Sequence, residues 1–151
     1  MRLVKGRKLL WWLGAAAVVA AIAVVAAGIP AYNERQRREQ LNEAFRNLAD
    51  VQAWMEAYYA HHRSYARAGV CGAAVVPEDR IRYFSYSCVP DAVAGGTPGQ
   101  TYTATATGKS RHTVGFIFSV DEKKQRVTLS VPADWGPLPP TAGSAWLEKR
   151  S

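Results

Sequence analysis

The residue types that could do chemistry are few, and their spacing does not suit it. His61 and His62 are neighbours, so on a helix they point to different faces and cannot form the i, i+4 pair of a metal site. His112 stands alone in a turn-like stretch, and Glu78-Asp79 reads as a solvated loop rather than a general acid and base. No Gly-rich phosphate loop, no Cys-x-x-Cys and no Ser/His/Asp set presents itself. The sequence therefore predicts a protein that is not an enzyme, with no cofactor, no metal and no small-molecule substrate. Two sets of residues remain. Cys71 and Cys88 both follow a long apolar run, where an extracytoplasmic setting favours a disulfide. Lys109, Arg111, Lys123, Lys124 and Arg126 fall in two turn-like stretches and form a candidate nucleic-acid or partner patch. Solvated turns are the plainer reading of those five, which puts DNA well behind protein partners.

The elements that would position these residues divide the chain. Of its 151 residues and net charge of +7, residues 1–8 carry Arg2, Lys5, Arg7 and Lys8 with no acid beside them. The basic tail thus accounts for most of the net charge, which is weak evidence for nucleic acid. Leu9 to Ile29 is 21 residues without a charge. As a helix it would be about 30 Å long, the thickness of a bilayer's hydrocarbon core. Trp11 and Trp12 stand at its start, where indole rings favour the lipid interface, and Pro30 at its end is placed to bend a continuing helix. A cleaved secretory signal competes with this reading, but the run is long for one and a helical pattern follows it. We expect residues 9–30 to be a transmembrane helix contacting membrane lipid, with the C-terminal domain outside.

Residues 31–66 read as the amphipathic helix of a headpiece. Leu41, Phe45, Leu48, Val51, Met55 and Tyr58 recur every three or four residues, and Phe45, Leu48, Met55 and Tyr58 are its expected core positions. Residues 67–151 read as an antiparallel sheet with an irregular C-terminal segment. Four stretches are rich in aromatic and β-branched residues: 83–88, 101–107, 114–120 and 126–131. In 101–107 (TYTATAT) Tyr102, Ala104 and Ala106 alternate with four threonines, and Phe116 and Phe118 share a face by strand period. The fold class is α+β: one long N-terminal helix packed on a four-stranded antiparallel sheet.

The order of these parts resembles that of the type IV pilins. Gly28-Ile-Pro-Ala-Tyr32 followed by Arg35, Arg37 and Arg38 is similar to the family's I-P-x-Y and paired arginines. Leu48 to Tyr65 (LADVQAWMEAYYAHHRSY) resembles the end of the family's helix. Tyr102 to Gly108, Val114 to Asp121 and Val131-Pro-Ala-Asp-Trp135 resemble the sheet of its minor pilins. The resemblance implies a minor pilin or pilin-like component, acting by helix packing and headpiece contacts with other pilin subunits or pilus assembly proteins. It implies a bacterial inner membrane, a periplasmic headpiece, and the cell-surface pilus if the subunit assembles. Aligned on Pro30, Lys8 stands where pilins carry Gly at the peptidase site, and Leu13 where they carry Glu. Ala145-Trp146 and Ser151 stand where the family often closes its C-terminal segment with a disulfide. An uncleaved, membrane-anchored periplasmic binding module that never enters a filament is the alternative expectation, and a DNA-binding minor pilin is a weaker variant.

Overall fold

The computed structural model describes residues 3–90, 97–138, 143 and 145–147, with side chains from Gly28 onward. A single α-helix, α1 (Leu3–His62), is followed by six strands: β1 (Ala66–Arg67), β2 (Val70–Cys71), β3 (Phe84–Pro90), β4 (Tyr102–Gly108), β5 (Ile117–Asp121) and β6 (Arg126–Ser130). The chain forms two compact units, Met1–Gln36 and Arg37–Ser151, the second of which we call the headpiece. In the first unit α1 passes through Pro30 without interruption. The side chains of Trp11, Trp12 and most of the apolar run lie outside the described residues. Among the described residues, no helix is long and apolar enough to cross a membrane.

The headpiece has the expected α+β layout. Strands β3, β4, β5 and β6 pair in sequence order, all antiparallel, as short connections favour. Leu41, Ala44, Leu48, Val51 and Met55 form the buried stripe of α1, and Phe45 is half-buried beside it. The facing sheet buries Phe84, Tyr102, Ala104, Ala106, Phe118 and Val120, with Phe116 just before β5. Ala104 and Ala106 place two small buried side chains on β4, in the middle of the sheet. Each large apolar side chain so buried contributes about 1.5–3 kcal/mol relative to exposure.

Three features differ from the sequence expectation. Strand β5 starts at Ile117 rather than Val114, because Thr113 and Gly115 (φ 93°) still belong to a turn. A two-residue hairpin, β1–β2, stands before the sheet, with Ala66 paired to Cys71. Tyr58 lies at the edge of the core, half-buried, its ring packed over Gly72 and stacked on His62 at 4.1 Å. The cysteines do bridge: Cys71 of β2 joins Cys88 of β3, with Cα atoms 5.9 Å apart. That bond ties the loop after α1 to the β3 edge of the sheet. Closing a loop of this length stabilises the headpiece by about 3 kcal/mol in the chain-entropy model.

The C-terminal segment is held without a covalent bond. Trp146 stacks on Phe45 at 5.3 Å and donates its indole N–H to the Ser119 carbonyl at 2.8 Å. Thr128 donates to the Ala145 carbonyl at 3.0 Å and accepts from the Leu147 amide at 3.0 Å. Trp135 meets Phe116 edge-on at 4.7 Å, so two C-terminal indoles help close the core.

Candidate functional site

The two ends of the headpiece are built differently, and the five basic residues singled out from sequence divide between them. The near end is where α1 enters, at Arg37; the far end is where α1 stops, at His62. Antiparallel pairing puts the β4–β5 turn, with Lys109 and Arg111, at the near end. It puts the β5–β6 turn, with Lys123 and Lys124, at the far end, and Arg126 at the start of β6 beside it. Strand β4 between them has seven residues, about 20 Å at strand rise.

Polar groups fasten the near end. Glu43 on α1 accepts the amide N–H groups of Arg82, Tyr83 and Phe84 on one oxygen at 3.1, 3.0 and 3.1 Å. One carboxylate thus seats the start of β3 on the helix, a role that the residue type alone did not reveal. Ser110 donates to Gln40 Oε1 at 2.8 Å, and the buried Thr113 hydroxyl donates to the Tyr83 carbonyl at 2.8 Å. Lys109 Nζ donates to the Ile81 carbonyl at 3.3 Å, while Arg111 is exposed. Arg37 pairs with Asp134 at 2.9 Å and lies 5.9 Å from the Phe116 ring centre.

Aromatic packing fixes the far end. Tyr59 stacks on Tyr65 at 4.5 Å and Tyr65 on Tyr102 at 4.8 Å. Tyr65 also donates to Glu56 at 3.1 Å; burial, reinforced by that carboxylate, pushes its phenol up to about 12. Burial raises the Tyr102 and Tyr86 phenols as well. Gln100 joins the end of α1 to the start of β4, accepting from Tyr59 at 2.6 Å and donating to the Arg63 carbonyl at 3.0 Å. This stack joins the end of α1, Tyr65 just before β1 and the start of β4, where Thr103 pairs with Asp121 at the edge of the β5–β6 turn.

Cations cover this far end. Arg63, Arg67, Lys123, Lys124 and Arg126 are all exposed. Arg126 lies over the Trp146 ring at 4.6 Å, which orients its guanidinium. The acids of the β5–β6 turn are partly engaged. Asp121 accepts the Lys123 and Gln125 amides at 2.9 and 2.8 Å, and Glu122, its side chain 13% exposed, lies 4.0 Å from the exposed Lys123 ammonium. Arg63 and Lys124 also have left-handed backbones, with φ of 56° and 63°. Those positions, a helix C-terminus and a hairpin turn, ordinarily favour Gly or Asn. Arg63 and Arg67 were not among the sequence candidates, because a helix end and a two-residue hairpin showed no signal linking them to residues sixty positions later.

The chemistry available here is recognition: exposed guanidinium and ammonium groups on a rigid aromatic base. A second groove, about 440 Å³, runs beside it, lined by Trp54, Tyr58, His61, His62, Val75 and Pro77. His61 and His62 are both exposed.

No curated protein and no solved structure gives a significant match to the chain. Residues 30–115 match the family described as type IV minor pilin ComP, DNA uptake sequence receptor. The match runs from Pro30 through the helix, the disulfide and the first two strands of the sheet, and it spans more than half of the sequence. Together with the helix-on-meander headpiece, it establishes that the chain belongs to this type IV minor pilin family.

Proposed function

We propose that this minor pilin is a DNA-capturing subunit, anchored in the inner membrane by Leu9 to Ile29, with the far end of its headpiece as the DNA contact. The observation that carries the reading is the match to a family described as a DNA uptake sequence receptor. From sequence alone DNA ranked behind protein partners, because the five cations looked like ordinary turns. The family description raises DNA, and the clustering of Arg63, Arg67, Lys123, Lys124 and Arg126 at one pole gives it a surface. Cations so placed would contact phosphates and position a duplex by counterion release. Nothing in this role calls for catalysis, and the family is one of pilin subunits rather than enzymes.

A second reading is favoured by Lys8 and Leu13, which replace the Gly and Glu that pilins carry at those positions. In it the chain stays uncleaved in the inner membrane as an anchored receptor and does not enter a filament. Intact mass separates the two. A chain shortened by about eight residues in sheared filaments supports the assembled pilin; the full-length mass confined to membranes supports the anchored receptor. Binding of duplex DNA by the full-length chain, with and without the far-end cations, tests the DNA role itself.

A further inference from the structure

The groove of about 440 Å³ beside the far-end cations has one aromatic wall. Trp54, Tyr58 and His62 stand four residues apart, which sets their rings in a row along one face of α1. Tyr58 and His62 are stacked at 4.1 Å. The Tyr58 ring lies on Gly72, where a Cβ would collide with it. Cys71, the residue before Gly72, is bonded to Cys88, so the opposite wall is tied to the sheet. Ala73, Val75 and Pro77 complete that wall, and Val75 is 79% exposed. None of the lining residues is an acid, and all of them belong to the headpiece.

The groove differs in charge from one end to the other. At the His62 end Arg63 follows directly, and Arg67 pairs with Val70 on the hairpin that leads to Gly72, so exposed cations flank it. At the Trp54 end Arg80 pairs at 2.7 Å with Asp50, one turn of α1 earlier, and Glu78 and Asp79 are exposed beside it. We propose that this groove takes one unpaired base of a DNA strand, stacked on Trp54 and the Tyr58–His62 pair, with the flanking phosphates on Arg63 and Arg67. The inference rests on the DNA contact proposed above and names the form of DNA that this contact prefers. A row of rings beside a cationic rim is the combination that holds a strand through its bases and its backbone at once. An acidic peptide would match the cations but not the rings, and an acyl chain the rings but not the cations. The acids at the Trp54 end repel phosphate, so the backbone stays at Arg63 and Arg67 and the base alone enters.

The test compares binding of the full-length chain to two labelled duplexes, one fully paired and one with a single bulged base. The bulged duplex should bind about tenfold more tightly, the effect of stacking one base on an aromatic platform. Raising the salt should weaken both and leave their ratio unchanged, since stacking releases no counterions. Trp54→Ala should bring the bulged duplex down to the affinity of the paired one. Trp54 also packs against the core, so Ala57→Gln is the second variant. It puts a neutral side chain into the groove from an exposed helical position and should act in the same way with an unchanged melting transition. Iodouracil at the bulged position should cross-link to Trp54, Tyr58 or His62. Equal affinity for the two duplexes overturns the base site and leaves the DNA contact standing. So does a preference that survives Ala57→Gln. Self-association without DNA that Ala57→Gln abolishes would overturn it as well, and assign the groove to a second copy. If the unsubstituted chain binds neither duplex, the DNA contact itself fails and the base site fails with it.

Discussion

Two cations of the far end occupy backbone positions that physics would give to glycine, so replacing them should raise stability and lower DNA affinity together. Arg63 ends α1 at φ 56°, its amide bonded to the Tyr59 carbonyl at 2.7 Å. Lys124 closes the β5–β6 turn at φ 63°, its amide bonded to the Asp121 carbonyl at 3.1 Å. A side chain with a Cβ pays about 1–2 kcal/mol in the left-handed region. Glycine avoids that cost but loses about 0.5–1 kcal/mol through its greater freedom in the unfolded chain. At Arg63 the change also gives up a cation beside a helix C-terminus, worth about 0.3–1 kcal/mol. The net gain for Arg63→Gly with Lys124→Gly is therefore about 1 kcal/mol, or about 4 °C in melting temperature for a unit of this size. Thermal melts followed by circular dichroism read the first effect, and fluorescence anisotropy with a labelled duplex reads the second. A lower melting temperature would show that these backbones carry no strain. Unchanged DNA affinity at the raised melting temperature would refute the assignment of the two cations to the interface, and with it the reason proposed for their placement.

Three further outcomes follow from the packing. Glu43→Gln keeps the shape but removes the charge that three amides share and turns an N–H group toward them, so it should cost about 2–3 kcal/mol in urea denaturation; a loss under about 0.5 kcal/mol would mean that water serves those amides equally well. Phe116→Ala removes a fully buried ring that meets Trp135 at 4.7 Å and Phe118 at 5.8 Å, and should cost about 3–5 kcal/mol, with an unchanged melting temperature as the contrary result. At alkaline pH, Tyr65 holds its proton to about 12 in the folded headpiece, against about 10 when unfolded. Its contribution is thus complete below pH 10 and lost as pH rises toward 12. Tyr65→Phe should flatten that fall in stability, and a phenol absorbance that titrates entirely near pH 10 would contradict it.

The parts of the fold that were legible from sequence are those in which one period dominates. The stripe from Leu41 to Met55 and the alternation of Tyr102, Ala104 and Ala106 each fix a buried face, and both appear as expected. Tyr58 fits the same period yet sits at the rim, because the hairpin that brings Gly72 under its ring is too short to register as strands. Turn geometry was less legible. Val114 and Phe116 read as strand by composition, but Thr113 binds back to Tyr83 and delays β5 until Ile117. Polar fastening by Glu43, and the docking of Trp146 on Phe45, join residues forty or more positions apart, and residue type does not announce such partners. Of the five basic candidates, Lys109, Arg111, Lys123 and Lys124 lie in the two strand connections and Arg126 opens β6. Their separation to opposite ends needed the strand register, and the addition of Arg63 and Arg67 needed the aromatic stack that folds the helix end onto the sheet.

The most direct measurement is the salt dependence of duplex DNA binding by the full-length chain, compared with a variant carrying Arg63→Ala, Arg67→Ala, Lys123→Ala and Lys124→Ala. If the five far-end cations contact phosphates, log K should fall with log salt at a slope of about −4 to −5, and the variant, which keeps Arg126, should retain only about −1 of it. Lys109→Ala with Arg111→Ala should leave it intact. Equal slopes for the parent and the far-end variant, or no measurable DNA binding by the parent, would contradict the far end as a DNA contact.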